Sequence, residues 1–175
     1  MADINGNAQG VDDTLMGTRG DDKIQGYSGD DYLSGGRGND LLIGGAGSDV
    51  MTGGLDSDTF RWSAGHLSEG SVDWVLDFSF NQADVLSFLD SANNNSITIL
   101  AAEHAKVTNT SFNSHDLSNS VNGNEMVLTV QNSLGVTQRI VLIDSWSSTL
   151  NSAWVDALAQ LGYSGPITDG GTYAI

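Results

Sequence analysis

From Gly17 onward the chain repeats every nine residues, and that period limits its possible folds more than any other feature. The tract reads GTRGDDKIQ (17–25), GYSGDDYLS (26–34), GGRGNDLLI (35–43), GGAGSDVMT (44–52) and GGLDSDTFR (53–61), with a degenerate copy, AQGVDDTLM (8–16), ahead of it. Gly holds the first place at 17, 26, 35, 44 and 53, and the fourth at Gly20, Gly29, Gly38 and Gly47. The sixth place is Asp throughout: Asp13, Asp22, Asp31, Asp40, Asp49 and Asp58. The eighth is a large apolar residue: Leu15, Ile24, Leu33, Leu42, Met51 and Phe60. A period this short describes one unit of a stacked array, because a nine-residue unit cannot bury its apolar side chain alone.

Each place has a physical reason. Glycine permits backbone angles that a Cβ forbids, so the first six residues can close a tight turn with its carbonyls turned inward. The sixth-place Asp adds a carboxylate, completing the all-oxygen donor set that calcium prefers. The last three residues form a short strand whose alternation sends the eighth side chain into a core and the seventh and ninth (Lys23, Gln25, Tyr32, Ser34) mostly outward. Two nines make one coil of a right-handed parallel roll, so turns eighteen residues apart stack. Asp13, Asp31 and Asp49 fall on one side, and Asp22, Asp40 and Asp58 on the other. The gaps between stacked turns predict about four calcium ions, held by these Asp and by backbone carbonyls of turns carrying Gly20, Gly29, Gly38 and Gly47.

Composition agrees. Of 22 acidic residues, nineteen are Asp and only three Glu, against six Lys plus Arg, for a formal charge of −16. Short carboxylates beside 22 glycines suit cation-binding loops better than a solvated acidic surface. The sign of the charge argues against nucleic acid or anionic membranes as partners. With no cysteine, neither disulfides nor thiolate sites are available. No apolar run approaches the roughly 18 residues of a membrane span. The start, Met1 to Gly6, lacks the basic and apolar regions of a secretory signal, so export by another route is expected, or Met1-Ala2 is an added start.

The nonapeptide resembles the G-G-x-G-x-D-x-U-x pattern of RTX (repeats-in-toxin) proteins. Departures are Thr18 and Tyr27 for the second glycine and Asp56 for the fourth; Asp56 either adopts the left-handed turn or ends the regular coiling. Past the tract, Asp58-Thr59-Phe60, then Asp73-Trp74-Val75-Leu76-Asp77-Phe78 and Asp84-Val85-Leu86, are similar to the segment that follows the last repeats in RTX exoproteins. The layout resembles the C-terminal domains of type I secreted proteins, most of all large bacterial adhesins and less closely serralysin-like proteases. That resemblance implies a secretion signal within about Leu150–Ile175, an ABC-transporter export complex as partner, and a place outside or on the surface of a Gram-negative cell.

Two parts are predicted: a calcium-binding roll over 1–61 and a β-rich capping region over 62–175, making the chain mainly all-β with one short helix. Strands are expected at 72–78, 84–89, 96–100, 125–131 and 138–143, the last two as an antiparallel hairpin, with 109–124 as loop. A helix follows Ser147–Thr149, with Leu150, Trp154, Ala157, Leu158 and Leu161 on its buried face and Gly162 closing it. Trp62 and Trp74 are expected to cover the open end of the roll. Asp73, Asp77, Asp84 and Asp90 read as strand-end and turn residues, or as an added calcium ligand or two.

No catalytic constellation stands out. His66, His104 and His115 are isolated, Glu103-His104 lacks the second His of a zinc helix, and no G-x-S-x-G elbow occurs. The expectation is a monomeric, non-enzymatic module of a larger polypeptide that folds on calcium. The tail of an RTX protease or lipase, and a ligand- or ice-binding roll, are the alternatives.

Overall fold

The computed structural model describes residues 1–89, 97–108, 111–112, 115–116, 125–143, 151–165 and 167–174. Strands β1 (Asp3–Asn5), β2 (Thr14–Met16), β3 (Lys23–Ser28), β4 (Tyr32–Arg37), β5 (Leu41–Ala46), β6 (Val50–Leu55) and β7 (Thr59–Ser63) alternate between two parallel sheets. Register follows the repeat: Leu15 lies opposite Leu33 and then Met51, and Ile24 opposite Leu42 and then Phe60. These are parallel pairings with one coil per step, the geometry of a β-roll. From β3 to β6 the strands are six residues long, twice the expected three, because pairing continues through the second glycine (Gly36 opposite Gly54, Tyr27 opposite Gly45).

The coiling outlasts the nonapeptide. β8 (Val72–Val75) pairs parallel with β6 and β9 (Val85–Leu89) parallel with β7, after loops holding two 3-10 turns (Ala64–His66 and Phe80–Gln82). Val75 and Leu86 thereby extend the core ladder of Ile24, Leu33, Leu42, Met51 and Phe60. Each such rung removes about 1.5–3 kcal/mol worth of apolar surface from water. The first sheet runs β1-β3-β5-β7-β9.

The second sheet continues across residue 61 into the C-terminal part. β14 (Thr137–Leu142) adds parallel to β8, and β13 (Glu125–Asn132) pairs antiparallel with β14 as the expected hairpin. β10 (Ile97–Thr108) pairs antiparallel with β13, and β15 (Ile167–Ala174) parallel with β10. A separate two-stranded pair, β11 (Ser111–Phe112) and β12 (His115–Asp116), falls inside the stretch expected as loop. Roll and cap therefore share one sheet and one core, in which Met126, Leu128, Ile140 and Leu142 join the roll's ladder.

Helix α1 (Asn151–Gln160) buries Trp154 and Leu158 on that core, with Trp154 stacked on Phe78 at 5.5 Å and edge-on to Phe80 at 4.8 Å. It ends as predicted at Gly162, whose φ of 85° lets Tyr163 N–H reach back to the Leu158 carbonyl at 2.8 Å. Its expected caps, Ser147–Thr149, lie outside the described residues, as does Asp90. The tryptophans differ from expectation. Trp62 is an interior residue packed on Phe88, whereas Trp74 lies in a second buried cluster with Val50, Val72, Val127, Val141 and Ile143. Val50 and Trp74 hold the seventh place, so part of the roll's outward face is itself buried.

Candidate metal centre

The sixth-place carboxylates are tied to one another by the backbone. On one side Asp13 N–H donates to Asp31 Oδ1 (2.8 Å), Asp31 N–H to Asp49 Oδ1 (2.9 Å) and Asp49 N–H to Asp73 Oδ1 (2.9 Å). On the other, Ala2 N–H donates to Asp22 Oδ1 (2.8 Å), Asp22 N–H to Asp40 Oδ1 (2.8 Å), Asp40 N–H to Asp58 Oδ1 (2.9 Å) and Asp58 N–H to Asp84 Oδ1 (3.0 Å). All six predicted Asp thus fall in the two stacks deduced from the period. Asp73 and Asp84 complete them as strand-end residues that occupy the sixth place, 24 and 26 residues beyond their partners instead of 18.

A second ladder runs the opposite way through the fifth place. Asp12 Oδ1 accepts Asp30 N–H (2.9 Å) and Asp30 Oδ1 accepts Ser48 N–H (2.8 Å); Asp21 Oδ1 accepts Asn39 N–H (2.9 Å) and Asn39 Oδ1 accepts Ser57 N–H (3.0 Å). The signal was present in the sequence, since that place carries a short oxygen-bearing side chain in every copy: Asp12, Asp21, Asp30, Asn39, Ser48 and Ser57.

With Oδ1 used by the stack, the other carboxylate oxygen decides what the site can hold. Asp31, Asp40 and Asp49 are essentially fully buried, and their Oδ2 atoms are without a hydrogen-bond partner. Each sits over the first glycine of its own turn. A Cβ placed on Gly26 would lie 2.2 Å from Asp31 Oδ2 and 2.6 Å from the Gly44 carbonyl; on Gly35, 2.3 Å from Asp40 Oδ2 and 2.5 Å from the Gly53 carbonyl. The glycine therefore keeps open a space on which a carboxylate oxygen and a carbonyl of the next stacked turn converge. Among the described residues no three His, Cys, Asp or Glu side chains form a common cluster, so carbonyls must supply the balance of any ligand shell. An all-oxygen set of this kind fits calcium.

The predicted backbone positions divide. Gly29, Gly38 and Gly47 have φ of 120°, 101° and 131° and pack against the preceding turn of their stack; a Cβ on Gly47 would lie 2.1 Å from the Gly29 carbonyl. Gly20 is exposed, has no left-handed φ, and a Cβ there would meet nothing within 4 Å. Asp56, in the fourth place of the last copy, does adopt the left-handed turn (φ 83°), so Asp58 keeps its place over Gly53. Asp77 accepts Gly53 N–H and Gly54 N–H with its two oxygens (2.9 and 2.8 Å), tying the last turn to the loop beyond β8.

Burial, reinforced by neighbouring carboxylates, pushes Asp31 and Asp40 up to about 6 and Asp58 up to about 7. The adjacent pair Asp49 and Asp73 is raised chiefly by burial, and burial also raises Asp77 and Asp84. Asp22 goes the other way, lowered first by the Ala2 N–H and then by the Thr18 hydroxyl.

A parallel roll with stacked Asp–Gly turns of this geometry defines a structural calcium-binding module. Residues 8–42 and 29–60 match the family model of the RTX calcium-binding nonapeptide repeat (four copies), and this tract is an RTX repeat region that binds calcium, with about four ions fitting it. Such repeats are typical of secreted proteins of Gram-negative bacteria. Among solved structures the chain is similar to the AlgE6R3 subunit from the Azotobacter vinelandii mannuronan C5-epimerase, with 24% identity, a TM-score of 0.52, and coverage of 90% of this chain and 85% of that one, a likeness of fold. No curated protein sequence matches.

The raised carboxylates give opposite pH dependences for the two states. Their pKa values are higher in the folded apo-form than the 3.8 of a free Asp, so the calcium-free fold holds protons more tightly than the unfolded chain. It loses stability as pH rises through about 6–7. Calcium takes the deprotonated form, so its affinity falls as pH drops through the same window. Circular dichroism of the calcium-free protein is expected to gain β signal between pH 7.5 and 5.5, while calcium affinity by titration calorimetry weakens.

The glycine contrast is equally direct. Gly45 has φ of 123°, and a Cβ would lie 2.1 Å from the Tyr27 carbonyl. Gly45→Ala is expected to cost more than about 2 kcal/mol in urea denaturation of the calcium-loaded protein, and Gly20→Ala less than about 1 kcal/mol.

Proposed function

We propose that this chain is a non-enzymatic folding module that stays unfolded at cytosolic calcium, folds when it meets extracellular calcium, and carries a type I secretion signal in its C-terminal part. The observation that carries the folding half is the set of buried, unpartnered carboxylate oxygens on Asp31, Asp40 and Asp49. Buried carboxylates stacked turn upon turn oppose folding until a cation joins them, so binding free energy becomes folding free energy. Extracellular calcium modules bind with dissociation constants of roughly 10⁻⁴–10⁻³ M, a range that separates cytosol from the outside. Asp31, Asp40, Asp49 and Asp58 supply the carboxylates, and Gly29, Gly38 and Gly47 hold the turns whose carbonyls complete the shell.

A calcium titration followed by far-ultraviolet circular dichroism tests this half. The β signal should rise cooperatively between about 0.1 and a few millimolar calcium and collapse on adding chelator. A signal indifferent to chelator would sink the folding switch.

The export half rests on the resemblance of the segments after the repeats, and on where the expected signal lies. Of about Leu150–Ile175, α1 buries Trp154 and Leu158 in the core, and β15 pairs with β10. An exporter can read this segment only in an unfolded chain, which low calcium would provide. Fused to a reporter and expressed with a type I exporter, the chain should be secreted, and removal of its last ~25 residues should abolish secretion. The parent we favour is a large surface adhesin.

A further inference from the structure

The repeat pattern makes the Asp residues look equivalent, but the turns that carry them are of two kinds. Turns 26–31, 35–40, 44–49 and 53–58 share one backbone path, with left-handed φ at both the second and fourth places: Tyr27 and Gly29, Gly36 and Gly38, Gly45 and Gly47, Gly54 and Asp56. Turn 17–22 matches the nonapeptide about as well, yet neither Thr18 nor Gly20 has a left-handed φ. Thr is β-branched, and such residues resist that region strongly.

The carboxylates divide in the same way. In the four uniform turns, Asp31, Asp40 and Asp49 keep a buried Oδ2 with no donor, and Asp58 repeats their placement over Gly53. In the end members that oxygen is already used. Asp13 Oδ2 accepts Asn7 N–H (2.5 Å), and Asp22 Oδ2 accepts both the N–H (2.7 Å) and the hydroxyl (2.8 Å) of Thr18. At the other end, Asp73 Oδ2 accepts Trp62 Nε1–H (2.6 Å) and Gln138 Nε2–H (2.5 Å), and Asp84 Oδ2 accepts Ser79 N–H (2.8 Å). Since Oδ1 of Asp22, Asp73 and Asp84 is held by the stack, ligation there would break bonds the fold already makes.

We propose that, among the buried carboxylates of the two stacks, calcium ligation is confined to Asp31, Asp40, Asp49 and Asp58, and that Asp22, Asp73 and Asp84 are ion-free end members closed by protein donors. This rests on the calcium-binding reading above and narrows it: the roll has metal-bearing middle turns between two hydrogen-bonded ends.

The test is ion content of the full chain at saturating calcium, by equilibrium dialysis and elemental analysis, on single Asp→Asn variants. Asp22→Asn and Asp84→Asn should keep the wild-type number of ions, while Asp40→Asn and Asp49→Asn should each lower it by at least one. Loss of an ion from Asp22→Asn or Asp84→Asn, or a full complement in Asp40→Asn, would overturn the assignment. Should Asp84→Asn fail to fold by circular dichroism, Asp22→Asn decides, because its turn lies at the exposed start of the roll. A wild-type chain that binds no calcium would instead overturn the function on which the inference rests.

Discussion

The hydrogen bond from one Asp amide to the carboxylate eighteen residues on is the interaction on which the rest of this structure depends. It fixes coil height, because donor and acceptor are equivalent residues of successive coils. It also spends one oxygen of each carboxylate and turns the other over the first glycine. The apolar ladder beneath (Ile24, Leu33, Leu42, Met51 and Phe60, all fully buried) is a consequence of the same register. A slip of one residue would turn that ladder to solvent and break every amide–carboxylate bond at once.

The opposed fifth-place ladder makes the stack directional. Sixth-place amides donate forward along the chain and fifth-place side chains accept from the coil that follows, so each turn is held from both sides. The fifth-place ladder does not require Asp: Asn39, Ser48 and Ser57 stand there, the last donating to the Ala83 carbonyl. The sixth place tolerates no such drift because it has two tasks, an acceptor for the stack and an oxygen for the cation.

How much of this could be read from the chain follows from which constraints are local. The coil, the core ladder and the two Asp stacks depend on a fixed period and were legible. So were the β13–β14 hairpin and the Gly162 closure of α1, which rest on alternation and on one backbone angle. The continuation into β8 and β9 was hidden by loops of irregular length, although Asp73-Trp74-Val75 and Asp84-Val85-Leu86 keep the Asp, intervening residue and apolar residue of places six to eight. That tripeptide, searched without the period, would have found both coils. The burial of Val50 and Trp74 could not be read, because it depends on the second cluster formed with Val127, Val141 and Ile143, far along the chain. Nor could the altered path of turn 17–22, where one β-branched residue outweighs four matching places.

Electrostatics explains why middle and ends differ. Stacked strands lie about 4.8 Å apart, and two unit charges at about that distance repel by about 3–4 kcal/mol at an effective dielectric of 20. That is more than one buried rung contributes, about 1.5–3 kcal/mol, so apolar burial alone does not hold ionised middle turns together. A divalent ion between them reverses the sign. At Asp73 the Trp62 and Gln138 N–H groups serve the carboxylate without an ion, and Gln138 lies on β14, within the C-terminal part of the sheet. The C-terminal end therefore closes its last carboxylate with protein donors and gives the loaded turns a finished edge to stack on. Arrays whose units contact only their neighbours can nucleate anywhere and fold by propagation. Each calcium-loaded turn then presents the template for its neighbour in the stack, and the cap folds with the roll because the two share one sheet and one core.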